Sequence, residues 1–248
     1  MRQGLLLNLK MQRINYTKMT AAMKLLTVGA LLALTLNSAI AAETRPRPPN
    51  VVLFFIDDLA WADLELTGST FHETPNLNQL AAEGAFFSDA YAANPVCSPT
   101  RASILTGKYP SRIGLTNHSG SAGAKGPKYP LNPPEVVGHM PAEDVTLAEA
   151  LKEAAYTTAH IGKWHLQAHY DLSRDHFPGA NGFVINIAGH RMGQPGSFHF
   201  PYQSEQHPST NVPGMEAGTD GDYLTDVLTD RAIEFIEGNQ ERPFFLNM

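Results

Sequence analysis

Two rhythms of apolar and polar residues run along this chain. The first is the short strand-length segment: Val51-Val52-Leu53-Phe54-Phe55-Ile56 is a continuous apolar run, Thr157 to Ile161 reads as a second strand, and Pro243 to Met248 begins a third, buried one. A continuous run without alternation predicts a strand buried on both faces, as in the middle of a parallel sheet. The second rhythm has helical spacing. Leu77, Leu80 and Ala81 share one face of a helix that Thr74 caps, Pro75 starts and Gly84 ends. Thr146-Leu147-Ala148-Glu149 is a capping box that opens a helix running to about Ala155. Tyr223 to Glu237 reads as an amphipathic helix, with Gly238 as its stop. A short strand is predicted from Phe86 to Tyr91, and a long loop from Lys108 to Asp144. Strands alternating with helices predict an α/β fold with a mostly parallel central sheet flanked by helices.

Three polar clusters interrupt this pattern. The first strand ends in Asp57-Asp58, and ligands in open α/β sheets gather at the carboxyl ends of strands. Two hard carboxylates suit Mg²⁺ or Ca²⁺ better than Zn²⁺; equally, one Asp caps a turn while the other is solvated. The second cluster holds the chain's single cysteine, Cys97, just before a helix start. Ser98 is the predicted N-cap, Pro99 the first helical residue and Gly107 the stop. The positive end of that helix stabilises a thiolate or bound oxyanion by about 0.3–1 kcal/mol. Arg101 lies one turn further on. The third cluster, Gly162-Lys163-Trp164-His165, follows the second strand and delivers a cation and an imidazole. Together these read as a site for a phosphate or sulfate group. His118 and Lys125, in the mostly loop stretch from Lys108 to Asp144, either face substrate or are merely solvated, the second being the preferred reading. His165 and His169 have the spacing of a helical zinc pair but lack the Glu of a zinc peptidase, which disfavours that reading.

Composition narrows the class. With 43% hydrophobic and 17% charged residues the chain is globular, and a net charge of −6 with no basic stripe excludes a general nucleic-acid binder. Lys24, the apolar run Leu25 to Leu36 and Ala39-Ile40-Ala41 form a signal-peptide pattern over residues 1–42, with the first 22 residues an extended n-region or a mis-assigned start. Residues 43–50 are a proline-rich linker. The expectation is an exported protein, periplasmic or extracellular, without a stable membrane anchor. A lone cysteine cannot form an internal disulfide there, which fits a cysteine used for chemistry.

The stretch C-S-P-T-R-A-S-I-L-T-G, from Cys97 to Gly107, resembles the signature of the type I sulfatases, with Thr100 where that family more often has Ser or Ala. P-N-V-V-L-F-F-I-D-D, T-P-N-L and G-K-W-H-L resemble further motifs of the family, although Gln167 stands where a glycine is common. The resemblance implies an alkaline phosphatase-like sandwich and hydrolysis of sulfate esters, on an aryl group or a glycan. It implies that a maturing enzyme converts Cys97 to formylglycine, whose hydrate is the nucleophile. Asp57, Asp58 and residue 97 would bind a divalent cation, Ca²⁺ with Mg²⁺ as the alternative. Arg101, Lys163 and His165 would be catalytic, and residues 182–198 would line the substrate pocket. A phosphatase or phosphodiesterase of the same superfamily, with Cys97 unmodified, is one alternative. An inactive binder of sulfated glycans is the other. The resemblance covers about residues 49–248. In the family the P-F-F-L strand leads on to another active-site His, an Asp-Asn pair and a second Lys. The expectation is therefore an amino-terminal portion of a catalytic domain (residues 51–248), inactive alone and with a hydrophobic sheet edge exposed.

Overall fold

A computed structural model describes residues 47–121, 131 and 137–248. The signal-peptide pattern, half of the linker (residues 43–46) and Lys125 lie outside the described residues. No described helix is long and apolar enough to cross a membrane.

In chain order the elements are β1 (Val51–Leu53), α1 (Pro75–Glu83), α2 (Cys97–Thr106), α3 (Pro110–Ile113), α4 (Leu147–Glu153), β2 (Thr157–Ile161), β3 (Ile185–Ile187), α5 (Leu224–Gly238) and β4 (Phe244–Asn247). The four strands form one parallel sheet in the order β1-β4-β2-β3. Val51 pairs with Phe245 on one side of β4, and Thr158 pairs with Phe245 on the other.

Alternation along β2 and β4 sorts side chains onto two covered faces. Phe245 joins Ala102 and Leu105 of α2, Ala148 of α4, and Trp164, Leu166 and Phe183. Phe244, Leu246, Ala159 and Ile161 point the other way, onto Ala232 and Phe235 of α5. Helices on both faces explain why every residue of β4 is buried, as the apolar run predicted. The capping box is also present: Thr146 Oγ1 accepts from Glu149 N–H, and Glu149 Oε2 accepts from Thr146 N–H.

Two expectations fail. β1 is not buried on both faces: Val51 and Leu53 pack against the α2 side, whereas Val52, Phe54 and Ile56 are exposed. The α5-side core is built on β2, β3 and β4 and includes no residue of β1. Phe86 to Tyr91 form no strand, because no described strand pairs with them; Phe87 and Tyr91 are exposed. The loop from Lys108 to Asp144 contains the short helix α3.

Candidate active site

The carboxyl ends of β1 and β2 face the start of α2. Helix α2 begins at Cys97, two residues before the predicted first helical position, with Val96 as its N-cap. Asn94 sets this start: its Oδ1 accepts from Val96 N–H at 2.9 Å, and its carbonyl accepts from Thr100 Oγ1 at 2.6 Å. Ser98 is therefore not the cap. Its buried hydroxyl donates to the His165 carbonyl at 2.8 Å and accepts from Ser119 N–H at 3.2 Å. A tertiary partner has taken the oxygen that the sequence assigned to the helix.

This link brings the second cluster onto the first. His165 Nδ1 lies 3.3 Å from Cys97 Sγ. His165 itself has φ 56°, a turn held by its N–H bond to the His190 carbonyl. Ahead of it, Gly162 has φ 108°, a left-handed value that suits glycine, and lets the chain swing out of β2. Arg101 Nη1 donates to the Lys163 carbonyl at 2.7 Å. Asp57 Oδ2 then receives both cations, Lys163 Nζ at 2.5 Å and Arg101 Nη2 at 3.2 Å. The Arg101 guanidinium also lies over the Phe55 ring, 4.9 Å from its centre.

Burial tends to raise the Asp57 carboxyl, but the Lys163 hydrogen bond and the charges of Lys163 and Arg101 outweigh it, holding it below the usual range. Burial, followed by the charges of Lys163, His118 and Arg101, pushes His165 down to about 4. Its imidazole is thus neutral at ordinary pH and available to accept a proton.

All four predicted catalytic residues, Cys97, Arg101, Lys163 and His165, converge here with Asp57. Asp58, exposed and with φ 56°, makes no ion pair among the described residues. The described residues contain no cluster of three His, Cys, Asp or Glu groups spaced for a metal, so Asp57, Asp58 and Cys97 do not form a closed ligand set. The donor chemistry still fits a hard cation. Asp57 already gathers positive charge, and adjacent carboxylates at a strand end are oxygen ligands.

Other expectations change. His118 is exposed but not simply solvated, since its ring centre lies 5.9 Å from that of His165. Residues 163–169 are not helical, which removes the geometry of a His165–His169 zinc pair. Gln167 does not disturb its loop; its buried Nε2 donates to the carbonyls of Asp171 and Ser173. Sequence reasoning missed Asn94, His160 and Asn247. The Asn-x-Val spacing ahead of Cys97 was a readable Asx-turn signal for Asn94; the other two pair only in space.

The sequence profile of the sulfatase family matches residues 49–248. The chain belongs to the sulfatase family. It is 36% identical over 237 residues to dog N-acetylgalactosamine-6-sulfatase, covering 88% of this chain and 42% of that protein. It is 43% identical over 137 residues to human arylsulfatase A, covering 55% and 24% of the two chains. The crystal structure of Ps i-CgsB is 28% identical with a TM-score of 0.62, covering 81% of this chain and 44% of that one. The chain thus spans less than half the length of these sulfatase relatives. The parallel sheet between two helical layers is the fold it shares with the sulfatase structures.

Proposed function

We propose that this chain supplies the amino-terminal catalytic residues of an exported sulfuric ester hydrolase acting on sulfated glycans. The observation that carries the reading is the placement of Cys97. It is the first residue of a helix, 3.3 Å from a neutral imidazole, beside two cations gathered on Asp57. The glycan class is supported by relatives: one is an N-acetylgalactosamine-6-sulfatase, and one structural neighbour (25% identical, TM-score 0.56) holds its substrate D-glucosamine-2-N,6-O-disulfate.

Formylglycine at position 97 would supply a hydrated aldehyde as nucleophile, and a divalent cation held by Asp57 and Asp58 would supply Lewis-acid charge. The chain's own residues do the rest. Arg101 and Lys163 present N–H donors to sulfate oxygens, where negative charge accumulates during transfer. Arg101 is pre-aimed by its bond to the Lys163 carbonyl, so little reorientation accompanies binding. His165 Nδ1 accepts a proton from the group at position 97. Ser98 and Ser119, both bonded to the His165 carbonyl, hold that imidazole in place.

Two measurements test the reading. Mass analysis of the peptide containing residue 97, after expression with a maturing enzyme, is expected to find formylglycine. Incubation with a sulfated glycan and with its phosphate analogue is expected to release sulfate in preference to phosphate. A residue 97 that remains a thiol, with no sulfate released, would overturn it.

A further inference from the structure

His160 lies on β2, 1% exposed, and no step above uses it. Both of its ring nitrogens have partners. Nε2 is 3.1 Å from the Gly162 carbonyl, and Nδ1 is 2.8 Å from the side-chain amide nitrogen of Asn247 on β4. The chemistry of these partners fixes the tautomer. A carbonyl only accepts, so Nε2 carries the hydrogen; Nδ1 is then a bare lone pair, and Asn247 must present its NH₂. The ring cannot turn away. Trp164 stands edge-on at 5.1 Å, Phe183 tilts against it at 5.5 Å, and Gly189 is so close that a Cβ there would reach 2.6 Å from Cδ2.

The carbonyl that His160 holds belongs to the residue that turns the chain out of β2. Gly162 has φ 108° and donates its own N–H to the Ile187 carbonyl at 2.9 Å. The next residue is Lys163. With Arg101 donating to the Lys163 carbonyl, two adjacent carbonyls of the turn are each held by a side chain.

We propose that His160 is a positioning residue: a neutral strut that fixes the Gly162–Lys163 turn and aims Lys163 at the sulfate site, its tautomer set by the Gly162 carbonyl and its ring anchored by Asn247 across the sheet. The proposal rests on the sulfatase reading only for what Lys163 meets. Burial, and next the charge of Arg101, also push the His160 imidazole down to about 3, in keeping with a ring that stays neutral.

The test uses the full chain labelled with nitrogen-15. Imidazole spectra are expected to show His160 as the Nε2–H tautomer, unchanged between about pH 8 and 5. An Asn247→Asp change offers only acceptors, so the ring must take a proton on Nδ1, and the Gly162 and Lys163 amide resonances are expected to move while that of Ala232 does not. Asn247→Leu, which buries no charge, removes the donor that anchors Nδ1 and covers the case in which the Asp variant does not fold. Inorganic sulfate titrations form the second arm. Asn247→Leu and Lys163→Ala are each expected to weaken sulfate binding about tenfold, without further loss when combined. Finding the Nδ1–H tautomer in the wild type, or unmoved Lys163 resonances in both Asn247 variants, would overturn the strut. Unchanged sulfate affinity in Lys163→Ala would instead sink the sulfate-site reading, while the spectra still decide the role of His160.

Discussion

Gly193 lies flat against the imidazole of His165: a Cβ built on it would stand 2.5 Å from Cε1 and 2.7 Å from Nδ1. The segment that contains Gly193 therefore packs directly on the imidazole that faces Cys97. A Gly193→Ala change must push the ring away from position 97. Hydrolysis of an aryl sulfate by the matured enzyme is expected to fall about 10²-fold, since a shift of about 1 Å at a reacting group costs that much. Unchanged turnover would mean that His165 is not needed where it stands.

His165 gives a pH signature. Because burial and its cationic neighbours lower its proton affinity from 6.5 to about 4, the unfolded chain takes up the proton first on acidification. Its contribution to stability is intact above 6.5 and declines as pH falls towards about 4. Imidazole resonances are expected to titrate near the lower value, and Lys163→Met to move the midpoint upward. A midpoint near 6.5 in the wild type would contradict the geometry.

Asp57 holds Lys163 and Arg101 together, so Asp57→Asn leaves two partly buried cations facing each other. A loss of about 1.5–3 kcal/mol at neutral pH is expected from the charged hydrogen bonds. The sign follows from its lowered proton affinity: stability is present above the unfolded value near 3.9 and is lost as pH falls below it. Urea melts of both proteins across the acid range check this, and the difference between them is expected to shrink below about pH 4.

Added Ca²⁺ is expected to raise the melting temperature if Asp57 and Asp58 hold a cation, by an amount equivalent to about 2.7 kcal/mol at a hundred times the dissociation constant. Asp58→Asn is expected to abolish that gain without altering the metal-free protein, because Asp58 is exposed and Asn tolerates its left-handed φ of 56°. A gain that survives in Asp58→Asn would place the ion elsewhere.

Gln167→Ala removes the donor to two carbonyls and is expected to cost about 1–3 kcal/mol. Hydrogen exchange is expected to quicken in residues 165–175 while β4 stays protected. A uniform change across the chain would show that the glutamine serves global packing instead.

Much of this was legible in the sequence. Thr157–Ile161 and Phe244–Asn247 were both readable as strands, and helices cover both faces of the sheet they share. α4 was marked by its own capping box, a purely local device. The four catalytic candidates converged because each sits at a strand end or a helix start, the places where the fold brings side chains together. What failed depended on partners distant in the chain. The Ser98 hydroxyl left its helix for the His165 carbonyl, 67 residues away. The outer face of β1 has the composition of a core but no cover in the α5-side core. His118 meets His165 only because Ser119 is tied to Ser98. His160 and Asn247, 87 residues apart, carry no shared motif at all.

The strand order carries a consequence for synthesis. β4 separates β1 from β2, yet all of the other strands leave the ribosome before it. Until residues 244–247 emerge, β1 lacks its neighbour in the sheet and the β2 end has no fixed place opposite Asp57. Neither the β1–β4 nor the β2–β4 pairing can form before that point, so the two strand ends that carry Asp57 and Lys163 are joined through the sheet only once residues 244–247 are in place.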